Sequence, residues 1–172
     1  MTKIDKTLGY TNILRQADIF YGLTDPQLAM VASLCSEITP KAGETIFEEN
    51  SAGDELYVIA NGEVDILVNP ALVQSTTTEQ PSRLVTIATL RRGQTFGEVA
   101  LVDQGLRSAS AHCISKKTQL LVISRDRLVN LCDSYPDLGY CLMRNIAADL
   151  AFKIRGTDLM VRERLLWRPR SE

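Results

Sequence analysis

The spacing of apolar residues changes twice along this chain, dividing it into a helical opening, a strand-rich middle and a helical end. Residues 1 to 12 are mainly polar and read as a lead-in. A short apolar patch follows at Ile13, Leu14, Ala17, Ile19 and Phe20. Thr24-Asp25-Pro26 opens a helix, with Thr24 or Asp25 as its cap and the proline tolerated in the first turn. Leu28, Val31, Ala32, Leu34 and Cys35 give that helix its buried stripe.

From Ile38 the period shortens to that of strands. Pro40 to Glu44 predicts a turn, Thr45-Ile46-Phe47 a strand, and Glu49 to Asp54 a second turn in which Asn50 and Gly53 suit positive φ. Glu55-Leu56-Tyr57-Val58-Ile59 and Val64-Asp65-Ile66-Leu67-Val68 read as the two arms of a hairpin closed by Asn61-Gly62. Asn69 to Ser82, threonine-rich with two prolines, reads as a long exposed connection. Strand character resumes over Leu84 to Leu90, then at Ser110 to Cys113 and Gln119 to Ile123, with turn residues between. Short strands at this spacing predict a barrel, sandwich or jelly roll rather than alternating strand–helix units.

The last third is helical. Ser124 caps a short helix over Arg125 to Cys132, and Asp133-Ser134-Tyr135-Pro136 breaks it. A long helix is expected from about Asp137 to Leu166, with Leu138, Leu142, Ile146, Leu150 and Ile154 at every fourth position. Val161 and Leu165 extend the stripe beyond Gly156. No second domain remains to cover so long a stripe, so pairing with the same helix of another subunit is the economical arrangement. The alternative folds the helix wholly back over its own sheet. The expected organisation is therefore residues 1–136 as helices and β-roll, and residues 137–172 as long helix and tail.

Composition narrows the function classes. At 172 residues and 45% hydrophobic content the chain can build one well-cored domain and an appendage. A net charge of -2 with interspersed signs argues against a nucleic-acid surface. Arg162, Arg164, Arg168 and Arg170 read as a solvated helix end rather than a basic patch, and no helix-turn-helix is expected after the long helix. The absence of a long apolar run or an apolar leader predicts a cytoplasmic protein without a membrane span. Cys35, Cys113, Cys132 and Cys141 lack metal-type spacing and read as reduced thiols. His112 is the single histidine, too few for a multi-histidine metal cluster, and nothing supplies an activated nucleophile; no enzyme and no metal are expected.

The candidate chemistry lies in Gly93-Gln94-Thr95-Phe96-Gly97-Glu98-Val99-Ala100-Leu101, followed by Arg107-Ser108-Ala109. A guanidinium offers forked donors to a phosphate, and a carboxylate accepts from a sugar hydroxyl. From spacing alone, the same pair also reads as a surface turn with an ordinary ion pair.

The order of motifs resembles the cyclic nucleotide-binding domain family, both the bacterial regulators of the catabolite-activator type and the regulatory subunits of cyclic-nucleotide-dependent kinases. The resemblance covers about residues 13 to 155. It rests on Gly43 with Ile46-Phe47, Gly53-Asp54 with Leu56 to Ile59, Gly62-Glu63-Val64, and the stretch from Gly93 through Arg107-Ser108-Ala109. It implies a mainly β jelly-roll (double-stranded β-helix) with flanking helices and a long C-terminal helix. It further implies a 3',5'-cyclic nucleotide ligand, cAMP in preference to cGMP, with no other cofactor. On the family pattern Arg107 pairs with the cyclic phosphate and Glu98 takes the ribose 2'-hydroxyl. Phe96, Gly97, Val99, Ala100, Ser108 and Ala109 surround them, with backbone donors near Gly97, Ala100 and Ser108. Lys153, with Ile154 beside it, stands where the catabolite activator carries hydroxyls against adenine; a lysine is a poor partner for the 6-amino group but can donate to N1 or N7 of the purine or stay in solvent. Leu106 replaces a common proline, and Asn50 a common glycine. The implied function is a non-enzymatic sensor, a homodimer, relaying ligand binding to a downstream protein through its last helix. The opposing expectation is a nucleotide-free module acting as a dimerising scaffold.

Overall fold

The computed structural model describes residues 3–69 and 84–166. Among the described residues eight strands form two antiparallel four-stranded sheets, the mainly β roll expected. They are β1 (Ser36–Ile38), β2 (Thr45–Phe47), β3 (Glu55–Asn61), β4 (Glu63–Val68), β5 (Val85–Arg91), β6 (Thr95–Phe96), β7 (Ser110–Cys113) and β8 (Gln119–Ser124). One sheet runs β1-β8-β3-β6 and the other β2-β7-β4-β5. The helices are α1 (Lys3–Leu14), α2 (Asp25–Leu34), α3 (Glu98–Asp103), α4 (Arg125–Ser134) and α5 (Pro136–Leu166).

The Asn61-Gly62 corner overturns the hairpin expectation. β3 and β4 follow one another but pair in different sheets, β3 with β6 and β8, β4 with β5 and β7. Gly62, at φ +91°, lies so close to Thr118 that an added Cβ would come within 2.5 Å of its Oγ1. Asn61 Nδ2 donates to the Lys117 carbonyl at 2.8 Å. The corner thus docks on the β7–β8 turn and carries the chain from one sheet to the other, which is how a roll closes. Of the two residues expected at positive φ in the Glu49–Asp54 turn, only Asn50 (φ 64°) adopts it. Within the expected connection from Asn69 to Ser82, residues beyond Asn69 lie outside the described ones.

Central strands have both faces covered, because one looks into the roll and the other meets helices. On β3, Tyr57 and Ile59 join Val64, Leu90, Phe96, Ala111 and Leu120 inside the roll. Leu56 and Val58 point the other way, onto a layer built from Leu14, Phe20, Leu28, Leu128, Leu138 and Leu142. Each such side chain contributes about 1.5–3 kcal/mol on burial. The polar lead-in is a helix instead, α1, held by buried Tyr10, Thr11 and Leu14 and by the Tyr10 hydroxyl donating to Glu37 at 2.9 Å. Two apolar anchors one turn apart suffice once α2 packs beside them. Thr24 caps α2 through a capping box with Gln27, as expected.

The long helix α5 begins inside this layer and leaves it. Leu138, Leu142 and Ile146 are buried and Leu150 is half-buried, whereas Ile154, Leu159, Val161 and Leu166 are exposed. Gly156 does not interrupt it: its surroundings are open and the helix runs on. At 1.5 Å per residue it is about 46 Å long, enough to reach from the helical layer across the mouth of the roll.

Candidate functional site

A cavity of about 740 Å³ lies between the inner face of the β2-β7-β4-β5 sheet and α5. Phe96, Gly97, Glu98, Val99, Arg107, Ser108, Ala109 and Lys153 all line it, so eight of the nine expected site residues converge. The ninth, Ala100, belongs to α3. The rest of the lining is largely apolar, including Ile66, Ile87, Leu150, Ile154 and Met160.

The local fold explains the convergence. β6 ends at Phe96, whose ring stacks on Tyr57 at 4.9 Å, and Gly97 then turns through φ +84° to start α3. A Cβ at Gly97 would lie 2.6 Å from the Glu55 carbonyl and 2.8 Å from Arg107 Nη1, so glycine is needed here for space as well as for conformation. Glu98 is the first residue of α3, only 4% exposed. Arg107 is tied to the Glu49–Asp54 turn by a reciprocal backbone pair: Asn50 N–H donates to its carbonyl at 2.8 Å, and its own N–H to Ser51 O at 2.9 Å. Leu106, where a proline was the common choice, is exposed and those two bonds hold the segment without it.

Arg107 is 3% exposed and its guanidinium is already engaged. Nη1 donates to the Glu55 and Gly97 carbonyls at 3.0 and 3.3 Å, and Nη2 pairs with the Glu55 carboxylate at 3.1 Å. The Phe47 ring lies under it, 4.3 Å from Cζ, and Tyr57 stands 5.7 Å away. Burial raises the Tyr57 hydroxyl pKa above its ordinary value; Glu55 adds to the rise and Arg107 opposes it. Gly53 closes the far side, where a Cβ would come within 2.5 Å of Nε. A second, open cavity of about 520 Å³ lies beyond, bordered by Gly53, Glu55 and Arg125.

Lys153 of α5 reaches the Glu98 carboxylate. Its ammonium is 2.8 Å from Glu98 Oε1 and 2.8 Å from Asp149 Oδ2, and donates to the Thr95 carbonyl at 3.2 Å. Burial lowers the Lys153 pKa, but Glu98 and Asp149 raise it by more, leaving it above the usual lysine value. Among the described residues three buried side-chain atoms keep no hydrogen-bond partner, Glu98 Oε2, Arg107 Nε and Asp149 Oδ2, and Glu98 and Arg107 line the same cavity. A carboxylate and a guanidinium lining one largely apolar cavity suit a ligand with a hydroxyl and an anionic oxygen.

Sequence reasoning missed Glu55, Phe47 and Asp149. Asp149 was readable, being four residues before Lys153 on one helix face. Glu55 and Phe47 carry no local sign, since each meets Arg107 from more than fifty residues away. Among the described residues no group of three or more His, Cys, Asp or Glu could hold a metal, the four cysteines are free, and no helix is long and apolar enough to cross a membrane.

Comparison with known proteins follows the same lines. A family model described as "Cyclic nucleotide-binding domain" matches residues 38–135. The "Cyclic AMP receptor protein" of Thermus thermophilus is 30% identical over 146 residues, covering 85% of this chain and 61% of that protein. The "cGMP-dependent protein kinase, isozyme 1" of Drosophila melanogaster is 29% identical over 136 residues, covering 77% of this chain and 17% of the kinase. The chain therefore spans about three-fifths of the first relative and under a fifth of the second. Among solved structures, a cyclic nucleotide-binding domain from Methylobacillus flagellatus superposes with a TM-score of 0.74 at 22% identity, covering 92% of this chain and 84% of that one. At that identity the likeness speaks for the fold.

Proposed function

The chain belongs to the cyclic nucleotide-binding domain family, and on that premise we propose that it is a non-enzymatic sensor whose ligand is a 3',5'-cyclic nucleotide. The ligand sits in the 740 Å³ cavity, with its phosphate on Arg107 and its ribose 2'-hydroxyl on Glu98; Phe96, Gly97, Val99, Ser108 and Ala109 form the surrounding wall. One observation carries this reading: the buried, unpartnered Glu98 Oε2 and Arg107 Nε belong to residues lining the same enclosure. cAMP is preferred to cGMP because the side toward Ile66, Ile87, Leu150 and Ile154 is apolar, and guanine has the more polar edge to strip of water.

Ligand binding is relayed by α5, which forms one wall of the cavity and continues beyond it as an exposed apolar stripe. The stripe pairs with its copy in a homodimer, and a downstream protein in the cytoplasm reads the altered helix. A coupling of about 1–3 kcal/mol is sufficient for such a relay. A second reading, a nucleotide-free dimerising scaffold, has one observation in its favour: Arg107 and Glu98 already hold partners within the chain.

Calorimetric titration of the purified protein with cAMP, cGMP and AMP separates the two. The sensor requires saturable binding of a cyclic nucleotide, with AMP weaker and Arg107→Ala removing most of the affinity. No saturable binding up to about millimolar ligand, where binding energies fall to about 4 kcal/mol, selects the scaffold.

A further inference from the structure

Lys153 is anchored inside the chain. Its ammonium donates to Glu98 Oε1 of α3 and to the Thr95 carbonyl of β6, and Asp149 Oδ2 of its own helix lies 2.8 Å away as an ion-pair partner. Two of its three protons are thus committed to α3 and β6, and the contacts it makes centre on Glu98. Glu98 itself is divided. Its Oε1 is held by Lys153 at 2.8 Å, and its Oε2 is buried without a partner. A carboxylate this enclosed is costly to keep charged unless a cation stays with it, and an ammonium on one oxygen restricts which way the other can turn.

We propose that Lys153 is a positioning residue for sugar recognition: it clamps Glu98 by one oxygen so that the other is held for the ribose 2'-hydroxyl, and the same clamp ties α5 to the sugar site. The ligand and Lys153 then share Glu98 rather than compete for it. Selectivity rests on the sugar, and the helix that reports binding is fastened to the residue that reads it. This inference rests on the cavity being a cyclic nucleotide site.

The test compares cAMP with 2'-deoxy-cAMP by calorimetry on the wild-type chain, Lys153→Met and Glu98→Gln, with hydrogen–deuterium exchange of residues 149–157 measured without ligand. A hydrogen bond to a charged group supports a wild-type preference for cAMP of about tenfold or more. In Lys153→Met that preference falls below about threefold, and exchange across 149–157 accelerates in both variants. A simple loss of helix stability would weaken the two ligands alike and leave their ratio unchanged. A Lys153→Met protein that keeps the wild-type ratio overturns the inference, as does a wild-type protein that binds the two ligands equally. If the wild type binds neither ligand, the nucleotide reading itself fails, and unchanged exchange in both variants then overturns the clamp as well.

Discussion

Gly53→Ala is the sharpest perturbation of the site, because it adds one carbon and removes no functional group. Gly53 has no positive φ, so alanine brings no backbone strain. Its Cβ would lie 2.5 Å from Arg107 Nε, 2.7 Å from Nη2 and 2.9 Å from Cζ, where ordinary contact begins near 3.4 Å. The guanidinium must retreat by about 1 Å, a distance at which hydrogen-bond geometry fails. Its partners limit where it can go, with Phe47 4.3 Å away and Nη1 held by two carbonyls. Overpacking of this kind costs about 1–3 kcal/mol of stability, and in a domain of this size about 2–4 °C of melting temperature per kcal/mol. A misplaced charge-assisted bond to phosphate costs about 1.5–3 kcal/mol, or about ten- to 150-fold in cAMP affinity. Calorimetric titration below the melting transition measures the second, and thermal unfolding without ligand the first. Gly9→Ala, in α1 with open space around it, is the control and leaves both unchanged or slightly improved. A Gly53→Ala protein that binds cAMP with wild-type affinity would falsify the placement of phosphate on Arg107.

Three further outcomes are expected. Because the folded-state pKa of Lys153 is raised, its ion pairs contribute their full stability below the unfolded-lysine value near 10.5 and lose it as pH climbs through the higher folded value. The difference in thermal stability between wild type and Lys153→Met is therefore flat from pH 7 to about 10 and shrinks above 10.5; a difference that instead grows there contradicts the sign. Burial pushes the Cys35 thiol up to about 12, with Arg127 opposing, so its thiolate fraction at pH 8 is about 10⁻⁴ against about one in ten for an ordinary thiol. Site-resolved mass spectrometry after brief iodoacetamide treatment of the folded protein finds Cys35 unlabelled, and rapid labelling refutes its burial. Light scattering gives a dimer mass for the wild type, and Ile154→Glu with Leu159→Glu shifts it toward monomer; a wild-type monomer at high concentration removes the helix-pairing proposal.

Much of the fold was legible because it follows from local rules. The turn chemistry and two-residue alternation marked most strands, Thr24-Asp25-Pro26 marked the start of α2, and the four-residue spacing from Leu138 to Ile154 marked α5. Gly97 with Phe96, Glu98 and Arg107 marked the cavity wall through the ordered resemblance to the cyclic nucleotide-binding family, since their spacing alone fits a surface ion pair equally well. The Asn61-Gly62 corner misled because a turn residue specifies local curvature, not which sheet receives the next strand. That choice is made by the β7–β8 turn packed against Gly62. The helix α1 was missed for a similar reason, its few apolar anchors gaining weight only when α2 and Glu37 meet them.

The sequence by itself determined the kinds of groups available: a guanidinium, a carboxylate and a lysine on a long amphipathic helix, framed by strands and glycine turns. Tertiary structure alone decided what each group faces. Arg107 is gripped by Glu55 and backed by Gly53, and Lys153 pairs with Glu98 and Asp149 and donates to the Thr95 carbonyl. The physical reason is range. Period and turn propensity act over a few residues, whereas the partner of a buried charge is set by whichever distant elements the packed core brings within 3 Å of it.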